Sequence, residues 1–457
     1  MSVRLYACLR AILRAAVGVF FRQVEVVGLE HVPETGAVIF AGNHPNSLID
    51  PVLIVTSCGR IVRFAAKDVL FRSGLLRPLM NAIGAVPIAR RVDHPAGAGD
   101  AADASTRNQA SFDTLIGVLA AGGAIGIFPE GLSHDGPQLS RLKTGAARIA
   151  LGVCARVPGA RVSIVPCGLT YMQRKRFRSR VLLQFGPALT IDAARAAPPD
   201  AVTAVTAGLD HALRALTVNA TDWGTLRVLD GIRRLYQPPE ISIEQRVELA
   251  RRFNSEYPRV RDDPEVRALY ARVAAYLDRL RAGGLTDRDL QREPGPADAI
   301  RRVVRHLLLL LVWLPLALPG VILHAPMGIL VKLTAPLLTP RKDVLGATKF
   351  MAGLLTVLAS YVAGIVWVGW RFGLVAALAT LVALPITGYA TLQIFDRSAS
   401  LRRGLTTLVR LVALRRELAA LRAERAALED RVVRAVNRLR PAEMVPLFPR
   451  APRSVPT

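Results

Sequence analysis

Along the N-terminal part of the chain, short apolar runs alternate with longer stretches in which apolar positions recur every three or four residues. The runs at 24–28, 37–42, 62–66, 85–89, 124–128, 163–169 and 180–185 read as strands. The stretches at 48–56, 75–83, 107–121 and 145–155 read as helices. Strand and helix alternating in this way predict an α/β fold, with a mostly parallel or mixed sheet flanked by helices. Residues 1–23 carry a different pattern. Leu5, Leu9, Ile12, Leu13, Val17 and Phe20 share one helical face, interspersed with Arg4, Arg10 and Arg14. Those arginines, and the lack of a small-residue cleavage site, argue against a signal peptide. The segment is an amphipathic helix that either lies in a membrane interface or caps the core. Residues 93–105, rich in Ala, Gly and Asp, form a loop, either an inert insertion or a lid.

Beyond the sheet region the pattern loses its strands. Residues 196–300 are helical and charged, with breaks at Pro238-Pro239 and Gly283-Gly284. The composition then turns apolar over 301–395. A helix of about twenty residues spans the roughly 30 Å hydrocarbon layer, so 351–394 is expected to form a spanning hairpin. Residues 306–338 are interrupted by Pro315, Pro319, Pro326 and Pro336, and are expected to form a re-entrant or tight hairpin. Over 396–440, Leu411, Leu414, Leu418, Leu421, Leu428, Val432 and Leu439 follow coiled-coil spacing. That helix suits either a homo-oligomer or an anionic membrane face. Residues 441–457 read as a disordered tail.

Charge and composition narrow the partners. Sixty Lys+Arg against thirty-five Asp+Glu give a net charge of +25, which suits nucleic acid or an anionic membrane. Aromatic residues make up only 6% and no nucleic-acid-binding motif is present, so the expectation is membrane lipid and no nucleic acid. Cys8, Cys58, Cys154 and Cys167 lack metal or redox spacing, so no metal site and no cofactor are expected.

Two polar strings stand where apolar runs end. Asn43-His44-Pro45-Asn46-Ser47-Leu48-Ile49-Asp50 follows the run at 37–42, and Phe128-Pro129-Glu130-Gly131 follows that at 124–127. Strand ends are the usual place for an α/β active site. A histidine with a carboxylate a turn or so away can act as a general base, the carboxylate fixing the tautomer. No cysteine or G-x-S-x-G nucleophile stands nearby, so the base is expected to activate a hydroxyl of the substrate. Five residues separate His44 from Asp50. On a regular helix that spacing leaves the two side chains on different faces. The segment is therefore expected to be a turn entering a helix, with Pro45 helping to set it.

Taken with Gly84-Ala85-Val86-Pro87-Ile88-Ala89-Arg90 and Val165-Pro166, these strings resemble, in order, the four motifs of the glycerolipid acyltransferases. The resemblance covers roughly residues 20–190, within an expected catalytic domain at 24–195. The five-residue spacing is similar to that of a branch that includes fungal glycerol-phosphate acyltransferases. One departure concerns the third motif, which usually continues Thr-Arg-Ser but here reads Leu132-Ser133-His134. The resemblance leaves Arg141 or Lys143 to replace the missing cation.

The resemblance implies acyl transfer from acyl-CoA or acyl carrier protein to glycerol 3-phosphate or 1-acylglycerol 3-phosphate. It implies His44 as base and Asp50 as its orienting partner. Arg90, assisted by Lys67, would grip phosphate; Glu130, Gly131 and Ser133 would meet the acceptor. Pro166 would shape the acyl groove. The implied setting is the cytoplasmic membrane, multi-pass, with the catalytic domain on the cytoplasmic face. The alternative is a membrane-anchored lipid-binding or scaffolding protein on a degenerate acyltransferase fold.

Overall fold

The computed structural model describes residues 3–72, 74, 76–88, 100–291, 296–339, 341, 343–413 and 415–448. The chain divides into two units. The first comprises residues 1–219 together with Thr339–Phe350, and the second comprises Ala220–Leu338 and the remainder from Met351.

The first unit is built on eight strands: β1 (Phe21–Val27), β2 (Ala37–Gly42), β3 (Val62–Lys67), β4 (Val86–Ile88), β5 (Ala124–Ile127), β6 (Val162–Tyr171), β7 (Ser179–Phe185) and β8 (Leu189–Ile191). Their order is β1-β7-β6-β2-β5-β3-β4, with β8 pairing β6 at its other end. Neighbours run parallel except where β6 meets β7 and β8. Helices α1 (Val3–Phe20), α2 (Ile49–Ser57), α3 (Leu76–Ala82), α4 (Asp100–Ala120), α5 (Gly145–Arg156), α6 (Ala193–Ala196) and α7 (Ala201–Leu216) complete the unit. Every residue of β2 is buried, as a central strand covered on both faces requires. One face packs Ile39, Ile125 and Ile164 against Leu115, Ile149 and Leu209 of the helices.

The α/β reading of the sequence holds, and the strands fall within a few residues of the apolar runs. Two boundaries moved. Helix α4 begins at Asp100, so residues 100–105 are helical where a loop was expected; residues 93–99 lie outside the described residues. Helix α7 belongs to the sheet unit, its Leu209 and Leu213 entering the core, so that unit runs past residue 195. Helix α1 caps the sheet unit. Tyr6, Leu13, Val17 and Phe20 are buried, the Tyr6 hydroxyl accepts the Val62 amide at 3.1 Å, and Arg14 donates to the Thr56 carbonyl. Its outer face leaves Val3, Leu5 and Val19 exposed.

The second unit holds α8 (Trp223–Tyr236), α9 (Ile243–Val260), α10 (Pro264–Ala282), α11 (Asp287–Gln291), α12 (Pro296–Leu338), α13 (Leu345–Phe372), α14 (Leu374–Ala413) and α15 (Arg415–Leu439), with the first turn of α13 contributed to the sheet unit. Helices α8 to α11 bundle with α15. Leu418, Leu428 and Val432 of α15 join Leu235, Val273 and Tyr276 in a common core. A buried Arg425 pairs with Asp287 at 3.0 Å and with Glu429 at 2.9 Å. Leu418, Leu428 and Val432 of the expected heptad series are thus covered by their own chain.

Helices α12, α13 and α14 contain three stretches long and apolar enough to cross a membrane: Val303–Leu338, Leu345–Phe372 and Leu374–Arg402. Large apolar side chains such as Leu311, Val312, Ile322, Val366 and Val382 are exposed along them, a surface that water does not tolerate and lipid does. The hairpin expected at 306–338 is instead one continuous helix. A proline removes one backbone hydrogen bond from a helix, which is tolerated among apolar helices where neighbouring helices, nearby hydroxyls or local adjustment satisfy the freed carbonyl. Helices α13 and α14 meet at Gly373, whose φ of +90° only glycine adopts readily.

Candidate active site

Strands β2 and β5 are parallel neighbours, so their C-terminal ends lie side by side and bring the two polar strings together. Gly42 ends β2, and a Cβ there would sit 3.1 Å from the Phe128 ring, so glycine admits that ring beside the strand. Asn43 extends the sheet with its side chain: Oδ1 accepts the Leu169 amide at 2.7 Å and Nδ2 donates to the Leu169 carbonyl at 3.1 Å. The chain then turns sharply. Ser47 adopts a left-handed conformation with φ +49°, and α2 starts two residues later with Asp50 in its first turn. This is the turn entering a helix that the five-residue spacing demanded.

The turn delivers His44 onto Asp50, Nδ1 standing 2.9 Å from Oδ2. Asp50 is fully buried, and the His44 side chain is 14% exposed. Two further donors fix the carboxylate: the Asn46 amide at 2.8 Å on Oδ2 and the Tyr171 hydroxyl at 2.5 Å on Oδ1. Burial, and next the Asp50 charge, push the Tyr171 hydroxyl well above its ordinary pKa, so it stays a donor. With Nδ1–H committed to Asp50, the His44 proton-accepting position is Nε2. The imidazole is stacked on Phe128, ring centroids 4.0 Å apart and planes within 9°.

Glu130, at the end of β5, is 3% exposed. Its Oε1 accepts the backbone amide of His44 at 2.8 Å, and its Oε2 accepts from Ser140 N at 2.8 Å and lies 2.5 Å from His134 Nε2. Glu130 therefore ties the histidine turn to the loop after β5. Burial alone would raise its pKa, but the hydrogen bonds from His134, Ser140 and His44 outweigh it and hold the carboxyl below the usual range. The His134 pKa is raised by its hydrogen bond to Glu130, against the opposing effect of burial. The Gly136 amide donates to His134 Nδ1 at 3.0 Å, which puts the proton of the neutral ring on Nε2, facing Glu130.

The remaining sequence candidates fall around this centre. Gly131 has φ +75°, and a Cβ on it would lie 2.6 Å from Lys143 Nζ, so the glycine leaves room for an ammonium group over the motif. Ser133 is buried and its hydroxyl donates to Asp343 at 2.6 Å. Lys67 ends β3, which is parallel to β5, and so stands on the same sheet edge. Strand β4, parallel to β3, ends two residues before Arg90, itself outside the described residues. Pro166 is buried inside β6, beside Ala41, rather than at an open groove wall. Arg141 is exposed. Tyr171 was not singled out from the sequence, and Asn46 and Phe128 stood in the two strings without a role of their own, because their roles come from pairings between distant strands and a turn. Among the described residues, no cluster of His, Cys, Asp or Glu is placed to hold a metal.

Fold and site define an α/β protein with an imidazole–carboxylate pair at the end of a central strand. Residues 23–170 match the family model described as Acyltransferase, and residues 228–444 match that of the Glycerol-3-phosphate acyltransferase 2 C-terminal domain. The chain belongs to the glycerolipid acyltransferase family. It is similar to Glycerol-3-phosphate O-acyltransferase 2 of Saccharomyces cerevisiae, 36% identical over 49% of this chain and 32% of that protein. Glycerol-3-phosphate O-acyltransferase 1 of the same yeast is 35% identical over 47% of this chain and 30% of that protein. The chain thus spans about a third of the length of these two relatives. The 1-acyl-sn-glycerol-3-phosphate acyltransferase of Borreliella burgdorferi is 27% identical over 32% of this chain and 53% of that protein. Among solved structures, the 1-acyl-sn-glycerophosphate acyltransferase PlsC of Thermotoga maritima covers 45% of this chain and 78% of its own, with 17% identity and a TM-score of 0.33.

Proposed function

We propose that this chain transfers a fatty acyl group from an acyl thioester, acyl-CoA or acyl carrier protein, to a glycerol phosphate, with glycerol 3-phosphate the first acceptor to test and 1-acylglycerol 3-phosphate the second. The observation that carries this reading is the His44–Asp50 pair at 2.9 Å, with Nε2 left as the proton-accepting nitrogen. His44 Nε2 takes the proton of the acceptor hydroxyl as its oxygen attacks the thioester carbonyl. The new C–O bond forms, the C–S bond breaks, and the imidazolium returns the proton to the leaving thiolate. Asp50 holds the tautomer and stabilises the imidazolium, with Tyr171 and the Asn46 amide holding Asp50.

The acceptor's phosphate needs cations. Lys143 over Gly131 supplies one where the family's third motif has an arginine, Lys67 at the end of β3 supplies another, and Arg90 of the second motif is proposed as a third. Glu130 acts through the His44 backbone, because its oxygens already hold three donors. The preference for glycerol 3-phosphate rests on the two yeast relatives and on the match over 228–444. The apolar helices α12 to α14 support a reaction at a membrane, and the reading puts the catalytic unit on the cytoplasmic face, where acyl thioesters are made.

The test is thioester consumption by the full chain in lipid nanodiscs, with each acceptor offered alone. Acceptor-dependent thiol release with glycerol 3-phosphate, yielding 1-acylglycerol 3-phosphate, is the expected result. Release only with the acylated acceptor would reassign the substrate. No release with either would overturn the reading.

A further inference from the structure

The segment joining α12 to α13 is bracketed in sequence by apolar helices, yet Thr339–Phe350 belongs to the sheet unit. Its contacts there are specific. The Ser133 hydroxyl donates to Asp343 Oδ2 at 2.6 Å. Arg341 faces the same carboxylate with Nε 3.2 Å from Oδ1 and an Nη 2.8 Å from Oδ2, and that Nη also donates to the Ser133 carbonyl at 3.2 Å. Ser133 is thus gripped at both its hydroxyl and its carbonyl. Farther along, a Cβ at Gly346 would lie 2.6 Å from the Asn46 amide oxygen and 2.8 Å from the Arg174 carbonyl, so the segment passes against the histidine turn itself. Lys349 donates to the Lys175 carbonyl at 3.2 Å, and Phe350, 3% exposed, meets Phe20 edge-on.

Resting on the acyl-transfer reading, we propose that Asp343 and Arg341 are positioning residues of the active site, clamping the loop after β5 from the connector between two apolar helices. The route to the chemistry is short. Ser133 lies three residues beyond Glu130, whose Oε1 holds the His44 amide. Asn46, which Gly346 abuts, gives its own amide to Asp50 Oδ2. The connector therefore braces both sides of the His44–Asp50 turn. Burial would raise the Asp343 pKa, but the Ser133 hydroxyl and Arg341 more than offset it and keep the carboxylate charged. The bond from Ser133 is then charge-assisted, among the stronger neutral-to-ion contacts.

The experiment is a double-mutant cycle on the full chain in nanodiscs, with Ser133→Ala, Asp343→Ala and the pair together. Each single change should lower kcat about tenfold, the worth of one charge-assisted hydrogen bond, with the donor KM little changed. The double variant should be no worse than either single one, because both remove the same contact. Asp343→Asn keeps an acceptor for the Ser133 hydroxyl and should recover part of the loss, which a mere change in folded fraction would not produce. Wild-type kcat in Asp343→Ala, or losses that multiply in the double variant, would overturn the clamp. Amide hydrogen exchange over residues 131–136 reads the clamp without turnover. It should quicken in Asp343→Ala, and unchanged exchange would overturn the proposal even if the wild type consumed no thioester, a result that would count separately against acyl transfer.

Discussion

His134 sits in a position that its sequence neighbours do not announce. In the string after Glu130 it resembles a loop histidine, yet it closes on Glu130 Oε2 and on the Ser140 hydroxyl, 2.9 Å away. The pair sets a pH window for stability. Glu130 is lowered, so its contribution is present above the ordinary carboxylate range and is lost as pH falls through its folded value. His134 is raised, so its contribution is full below the ordinary histidine value and is lost as pH rises through its folded value. The melting temperature of the sheet unit should therefore hold level between the two ranges and decline on the alkaline side. His134→Gln should flatten that decline. An alkaline slope unchanged in the variant would remove His134 as its source.

At the scale of elements, the sequence was most legible where burial is two-sided. The runs before His44 and Glu130 became β2 and β5 within a residue of their expected ends, because a central parallel strand has no polar face to blur the pattern. It was least legible where a local rule met a setting that overrides it. Four prolines in 306–338 predicted a break and the segment is one helix, since among packed apolar helices neighbouring groups and local adjustment satisfy the carbonyls that the prolines free. The heptad series of α15 was visible, but nothing local tells whether a partner chain or its own bundle covers it. Arg341 and Asp343 were invisible as site residues, because only the fold carries them back to Ser133.

The helix α12 also constrains topology. Its C-terminal end leads into a connector that shares a core with residues 1–219, and among the described residues 220–291 hold no candidate span. On the proposed arrangement, chain continuity puts both ends of α12 on one side, with α13 and α14 as the pair expected to cross and return. In a cysteine-free background, an impermeant thiol reagent on intact cells should label Trp370→Cys, near the α13–α14 turn. It should spare Ala297→Cys and Thr339→Cys until the cells are opened. Labelling of Ala297→Cys from outside would make α12 a crossing helix and contradict this arrangement.

For the whole molecule, the sheet unit brings the chemistry to one edge and a helical bundle with apolar helices accompanies it, but every role assigned here depends on one proton transfer. The proposed base is His44. Its most direct test compares the full chain with His44→Ala for acceptor-dependent thiol release from an acyl thioester, both in nanodiscs and with melting temperatures measured alongside. The expected fall is at least about 10²-fold, the lower worth of a general base, at an unchanged melting temperature. Turnover by a folded His44→Ala protein at close to the wild-type rate would contradict it.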